Sequence, residues 1–205
     1  MRIQVAAGTL VDGHQVRVDF SRFELSEPGT FDGSEYRHHV GGMALCAPAG
    51  VAILTGISSG VVTVDVEAHD CVPDAPEPHW EDCVEVSLEA AGLTLSGPMD
   101  ENTVDLPSLV GPSRVRILAR GRGHHRDGVD VEPHEQYLLQ LWPAQIRAAT
   151  TIRATSSAAT SWDLSLRRQT PRAHPGVEVS FPSRSITDDS EIARNLRQQI
   201  ERHAR

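Results

Sequence analysis

The chain has 205 residues, 39% of them hydrophobic but only 4% aromatic, and a formal net charge of −9. That length suits one domain of ordinary size whose core is built from Val, Leu, Ile and Ala. No apolar run approaches the roughly 20 residues of a membrane span. Residues 1–13 lack the apolar stretch of a secretory signal, so a cytoplasmic protein is expected.

The period of the apolar residues is mostly two. Residues 15–20 (QVRVDF) alternate as a half-buried strand does, residues 50–55 form a short apolar run, and residues 60–67 (GVVTVDVE) alternate again. Residues 81–89 (EDCVEVSLE) bring Cys83 or Val84, Val86 and Leu88 into a strand register. Residues 89–92 then read as a hairpin turn into Leu93-Thr94-Leu95. Residues 113–120 (SRVRILAR) place Arg114, Arg116 and Arg120 on one face and Val115, Ile117 and Ala119 on the other. Residues 135–142 (EQYLLQLW) close the series. Gly, Pro and Asp clusters separate these runs, and the spacing predicts an all-β antiparallel sandwich or open barrel.

The character changes after Trp142-Pro143. Residues 1–142 hold 22 Asp and Glu against 9 Arg, a net of −13, whereas residues 143–205 hold 10 Arg against 6 acids, a net of +4. A boundary is expected there, giving an acidic β domain over 1–143 and an Arg-rich extension over 144–205. Residues 144–161 fit a linker, a frayed helix or a strand pair, and residues 162–166 and 177–181 fit further strands. A helix is predicted over about 189–203. Asp188 and Glu191 form its capping box, and Ile192, Leu196 and Ile200 recur at intervals of four. So narrow a stripe must dock, on its own domain or on a partner.

Every one of the 19 basic residues is Arg and there are two Asn, the usage of a high-GC bacterial genome. The acidic balance of the main domain counts against direct nucleic-acid binding, which needs a basic face. Three cysteines, an odd number, exclude a complete disulfide framework.

No catalytic constellation is found. His125-Arg126-Asp127 matches the start of a kinase catalytic loop, but Glu132 stands where that loop needs Asn. Gly56-Ile57-Ser58-Ser59-Gly60 has a serine in a glycine frame, yet lies between two β runs and reads as a hairpin loop. No phosphate loop or zinc-protease helix is present, and no cofactor is expected. His69, Cys71, His79 and Cys83 gather around one loop without the tight pairs of a zinc site. Pro73, Pro76 and Pro78 explain that segment as a stiff surface loop. An acidic cluster remains: Asp65, Glu67, Asp70, Asp74, Glu77, Glu81, Asp82 and Glu85. It reads as a solvated sheet face or as a surface that steers a basic protein partner.

The strand patterns carry a resemblance. Residues 16–23 (VRVDFSRF), 92–95 (GLTL), 104–107 (VDLP), 111–116 (GPSRVR) and 136–139 (QYLL) follow one another. In this order they resemble the small competence-associated proteins that inhibit the DNA-entry nuclease, over residues 15–143. The resemblance implies nuclease inhibition or an immunity role, and it assigns no individual residue. Three readings stand: an inhibitor-like module binding a basic partner, an assembly module whose Arg-rich extension docks on the acidic domain of another copy, and a small-ligand or metal-binding β protein.

Overall fold

A computed structural model describes residues 7–28, 38–47, 49–90, 92–99, 102–107 and 111–169. Its strands in chain order are β1 (Gly8–Val18), β2 (Arg22–Ser26), β3 (His38–Val40), β4 (Ala44–Ala47), β5 (Gly50–Leu54), β6 (Ser59–Ala68) and β7 (Asp82–Leu88). There follow β8 (Leu93–Ser96), β9 (Val104–Leu106), β10 (Ser113–Arg120), β11 (Val129–Asp130), β12 (Gln136–Pro143) and β13 (Thr150–Ala154). One helix, α1 (Ser157–Gln169), comes last among them.

The strands form two sheets and no closed barrel. The first runs β1-β6-β12-β10-β7-β13, with β11 added to β6, and the second runs β3-β4-β5-β2-β8-β9. Pairing is antiparallel except where β12 and β11 lie parallel to β6. The period-two pattern dictates the core between the sheets. Val62, Val64 and Val66 of β6, Val115 and Ile117 of β10, and Leu139 and Leu141 of β12 face inward. They meet Phe23, Leu25, Val51 and Ile53 of the second sheet. Phe23 and Tyr137 touch edge to face with centroids 4.9 Å apart, the arrangement that ring quadrupoles favour.

Two expected hairpins are corrected. β7 and β8 belong to different sheets, as do β5 and β6, so residues 89–92 and 55–58 are crossings between layers. Chain-reversal chemistry is the same in both cases, and only the partner sheet differs. The crossing at Gly56 is tight: a Cβ there would lie 1.9 Å from the Arg122 carbonyl oxygen, so only glycine fits. The run 15–20 also ends earlier than its alternation suggests. β1 stops at Val18, and Phe20 and Ser21 turn the chain in the left-handed region at φ 57° and 55°.

The sheet does not end at Pro143. β13 pairs with β7, and the compact unit runs through Thr170. Residues 162–166, expected as a strand, lie inside α1. Ser156 caps that helix, its Oγ accepting from Ala159 N at 3.0 Å. Buried Ala158 and Ala159 dock it. Gly42 permits the approach, since a Cβ there would meet the Ala159 carbonyl oxygen at 2.0 Å. The strand expected over 177–181, the helix over 189–203 and its stripe Ile192, Leu196 and Ile200 lie outside the described residues.

Candidate partner-binding face

The outer face of the first sheet carries the acidic cluster, and cross-strand register sorts its members. Glu67 of β6, Gln140 of β12, Arg116 of β10 and Glu85 of β7 form one row. In it Glu85 holds two arginines at once: Oε1 accepts from Arg116 at 3.0 Å and Oε2 from Arg114 Nε at 3.3 Å. Both guanidinium groups have side chains only 6% exposed, so this carboxylate neutralises charge inside the sheet face. Arg114 also donates to Ser87 and to the carbonyls of Arg147 and Ala148, tying down the segment that leads into β13.

Asp82 departs furthest from the surface reading. It and Arg122 are both fully buried and lie 2.6 Å apart. Its carboxylate also accepts from Thr155 N, Ser156 N and Ser156 Oγ, so it anchors the N-terminus of α1. A buried carboxylate needs this many donors to offset lost hydration. Asp82 is therefore removed from any partner-facing set. Glu81 is half-buried and accepts from Gly121 N, and Asp65 accepts from Gly13 N at 2.6 Å.

The rest of the cluster is free to face outward. Asp70, Asp74 and Glu77 stand exposed on the proline-bearing strap between β6 and β7. The strap is held from below, where Arg116 donates to the carbonyls of Pro73 and Asp74 and Arg153 to those of Glu77 and Trp80. Beneath it lies a cavity of about 530 Å³ between strap and sheet. Trp80, Leu118 and Leu138 line its apolar side, joined by Cys83 in a small cluster separate from the main core. Sequence reading missed this cavity. A signal was present: Leu118 interrupts the outward arginines of β10, and Leu138 sits between outward Gln136 and Gln140.

The four candidate metal ligands are not gathered. His69 donates to Glu67 at 2.9 Å, His79 pairs with Glu77 at 3.1 Å, and Cys83 lies in the apolar cluster. Among the described residues no three His, Cys, Asp or Glu side chains are placed to hold an ion. Cys46, Cys71 and Cys83 are free thiols, and Cys71 alone is exposed. Burial pushes the Cys83 thiol up to about 11, with Glu85 adding to the rise against Arg116 and Arg153, and burial pushes Cys46 up to about 12.

A second polar network crosses the core end. Glu135, 1% exposed, accepts from Gly56 N and Ile57 N at 3.0 and 2.7 Å and from the Tyr137 hydroxyl at 2.5 Å. Burial, then the Glu135 charge, holds the Tyr137 phenol well above its ordinary value. In the kinase-like tripeptide, His125 donates from Nδ1 to Asp130 of the adjoining β11 at 2.6 Å, a local contact five residues along the chain. No helix among the described residues is long and apolar enough to cross a membrane.

No family model matches the chain, and no curated protein matches its sequence. Among solved structures, "Crocagin biosynthetic gene J" matches with a TM-score of 0.43 and 14% identity over 69% of this chain and all of that one. The crystal structure of ComJ from Bacillus subtilis, inhibitor of the DNA-degrading activity of NucA, matches with a TM-score of 0.50. It covers 68% of this chain and 100% of ComJ at 9% identity, so the resemblance read from the strand patterns is met at the level of the fold.

Proposed function

We propose that the chain is a non-enzymatic, inhibitor-like binding module that engages a basic protein, a nuclease being the expected type, in the cytoplasm. The observation that carries this reading is the strap over the first sheet. Glu67, Asp70, Asp74 and Glu77 all line the cavity, and no arginine does among its described lining. Exposed carboxylates on a supported loop steer a basic partner and raise its association rate. The likeness in fold to ComJ adds to the reading because that protein inhibits a nuclease.

The test is capture by the immobilised full chain from native extract at about 0.05 M and about 0.5 M salt, where screening differs severalfold. Any captured enzyme is then assayed for its activity with the chain added. The expected result is one basic protein retained at low salt, depleted at high salt, and inhibited stoichiometrically. Return of the chain alone, with salt-sensitive oligomers in sedimentation, would replace this reading by self-assembly through the Arg-rich extension.

A further inference from the structure

The cavity under the strap combines two kinds of surface that rarely meet by accident. Leu118, 1% exposed, and Trp80, 8% exposed, give it an apolar side on a sheet face that also carries Arg116, Gln140 and Glu85. Glu67 stands in its wall, and both of its hydrogen bonds among the described residues, from His69 and Gln140, fall on Oε2. Asp70, Asp74 and Glu77 line it as well and are exposed. The volume, about 530 Å³, lies within the range of small-ligand sites and admits a long side chain.

An apolar wall edged by carboxylates fits an occupant with an aliphatic stem and a cationic head. Arg and Lys side chains have that form, and they bury their methylenes along apolar surface while the charge seeks a polar partner. We propose that the cavity between the strap and the outer face of the first sheet receives an arginine or lysine side chain projected by the protein partner. The proposal rests on the inhibitor-like reading and names the feature of the partner that the site recognises. The strap's anchors leave the site formed before binding: Arg116 and Arg153 hold its backbone from below. A preformed slot lowers the ordering cost of binding.

The experiment uses the full chain with methyl-labelled leucine. Blocked arginine amide and its neutral counterpart, blocked citrulline amide, are titrated while the methyl signals of Leu118 and Leu138 are followed. Arginine should shift both, citrulline should bind at least about tenfold more weakly, and Glu67→Gln should weaken arginine by about tenfold. Equal binding of both amides, or no shift at either leucine, overturns the proposal. Leu138→Trp, which adds bulk against the apolar side of the cavity, should weaken capture of the basic partner at least about tenfold. If that variant does not fold, Glu67→Gln decides alone. Capture and inhibition left unchanged by both substitutions would sink the cavity proposal and leave the inhibitor-like reading standing. Arginine binding with no protein partner captured would overturn both and leave a small-cation site.

Discussion

Asp82 and Asp74 belong to one acidic run and are eight residues apart, yet they occupy opposite physical worlds. Asp74 is exposed on the strap, whereas Asp82 is fully buried against Arg122 with three further donors from Thr155 and Ser156. What separates them is long-range pairing. Register between β7 and β10 brings arginines beside the acids of β7, and β13 closes over the end where Asp82 lies. The strap pairs with no strand in register, and Asp70, Asp74 and Glu77 stay exposed on it. A cluster of like charges in a sequence thus divides into a buried, structural part and an exposed part, and only the exposed part is available to a partner.

The strongest way to break this division is at Asp82. Asp82→Ala leaves Arg122 charged, buried and without its carboxylate, and it removes the anchor of the capping residue Ser156 at the start of α1. A loss of about 3–5 kcal/mol is expected in urea unfolding. Arg122→Met with Asp82→Ala should cost less than the single Asp82 change, since no unpaired charge remains. Glu135→Gln comes next. It keeps the shape but turns one of the acceptor oxygens that meet Gly56 N, Ile57 N and the Tyr137 hydroxyl into a donor. About 1–3 kcal/mol is expected. Tyr137→Phe should cost less, because it removes only one of the donors.

Much of this fold was legible from period alone. β6, β10 and β12 fall on the runs that alternate, and the division of β10 into outward Arg114 and Arg116 and inward Val115 and Ile117 is as the pattern indicates. Sheet membership was not legible, because a turn that pairs its flanking strands and one that carries the chain to the other layer draw on the same small residues. Helix α1 was hidden by a Ser/Thr/Ala composition that lacks a wide apolar stripe. Its stability comes from tertiary contact, with Ala158 and Ala159 buried and the Trp162 indole donating to the Thr55 carbonyl at 2.9 Å. At the site, charge was legible and the buried ion pair was not. The strand register sets Asp82 on the face of Val84, Val86 and Leu88, apart from Asp74 in the proline-bearing strap, but its partner Arg122 lies 40 residues away.

The cysteines sharpen the contrast between sheet interior and strap through pH. Cys83 and Cys46 have thiols raised from an ordinary 9.0 to about 11 and about 12, first by burial. A group whose folded value is raised contributes stability that is complete below the unfolded value and is lost as pH rises toward the folded one. Stability should therefore fall between about pH 9 and pH 11, with a shallower slope in Cys83→Ala. Thiol labelling at pH 8 should modify one cysteine, Cys71, in the folded chain and all three after unfolding. Rapid labelling of Cys83 while the fold persists would contradict its burial beneath the strap.

The smallest expected effect on stability is at Asp74, and its smallness is what gives it value. Its side chain is exposed, and its role in holding the strap is through the backbone carbonyl that accepts from Arg116 at 2.6 Å. Asp74→Asn preserves that carbonyl and the side-chain volume while removing one charge. Unfolding should shift by no more than about 0.5 kcal/mol. Binding to a basic partner should respond differently, with the association rate reduced and its dependence on salt made shallower, while dissociation changes little. The same substitution logic applied to Asp82, as Asp82→Asn, should do the reverse and lower stability before it alters any association rate. If Asp74→Asn unfolds the chain or leaves the salt dependence of association untouched, the strap is a structural brace and the division between the two halves of the acidic run fails.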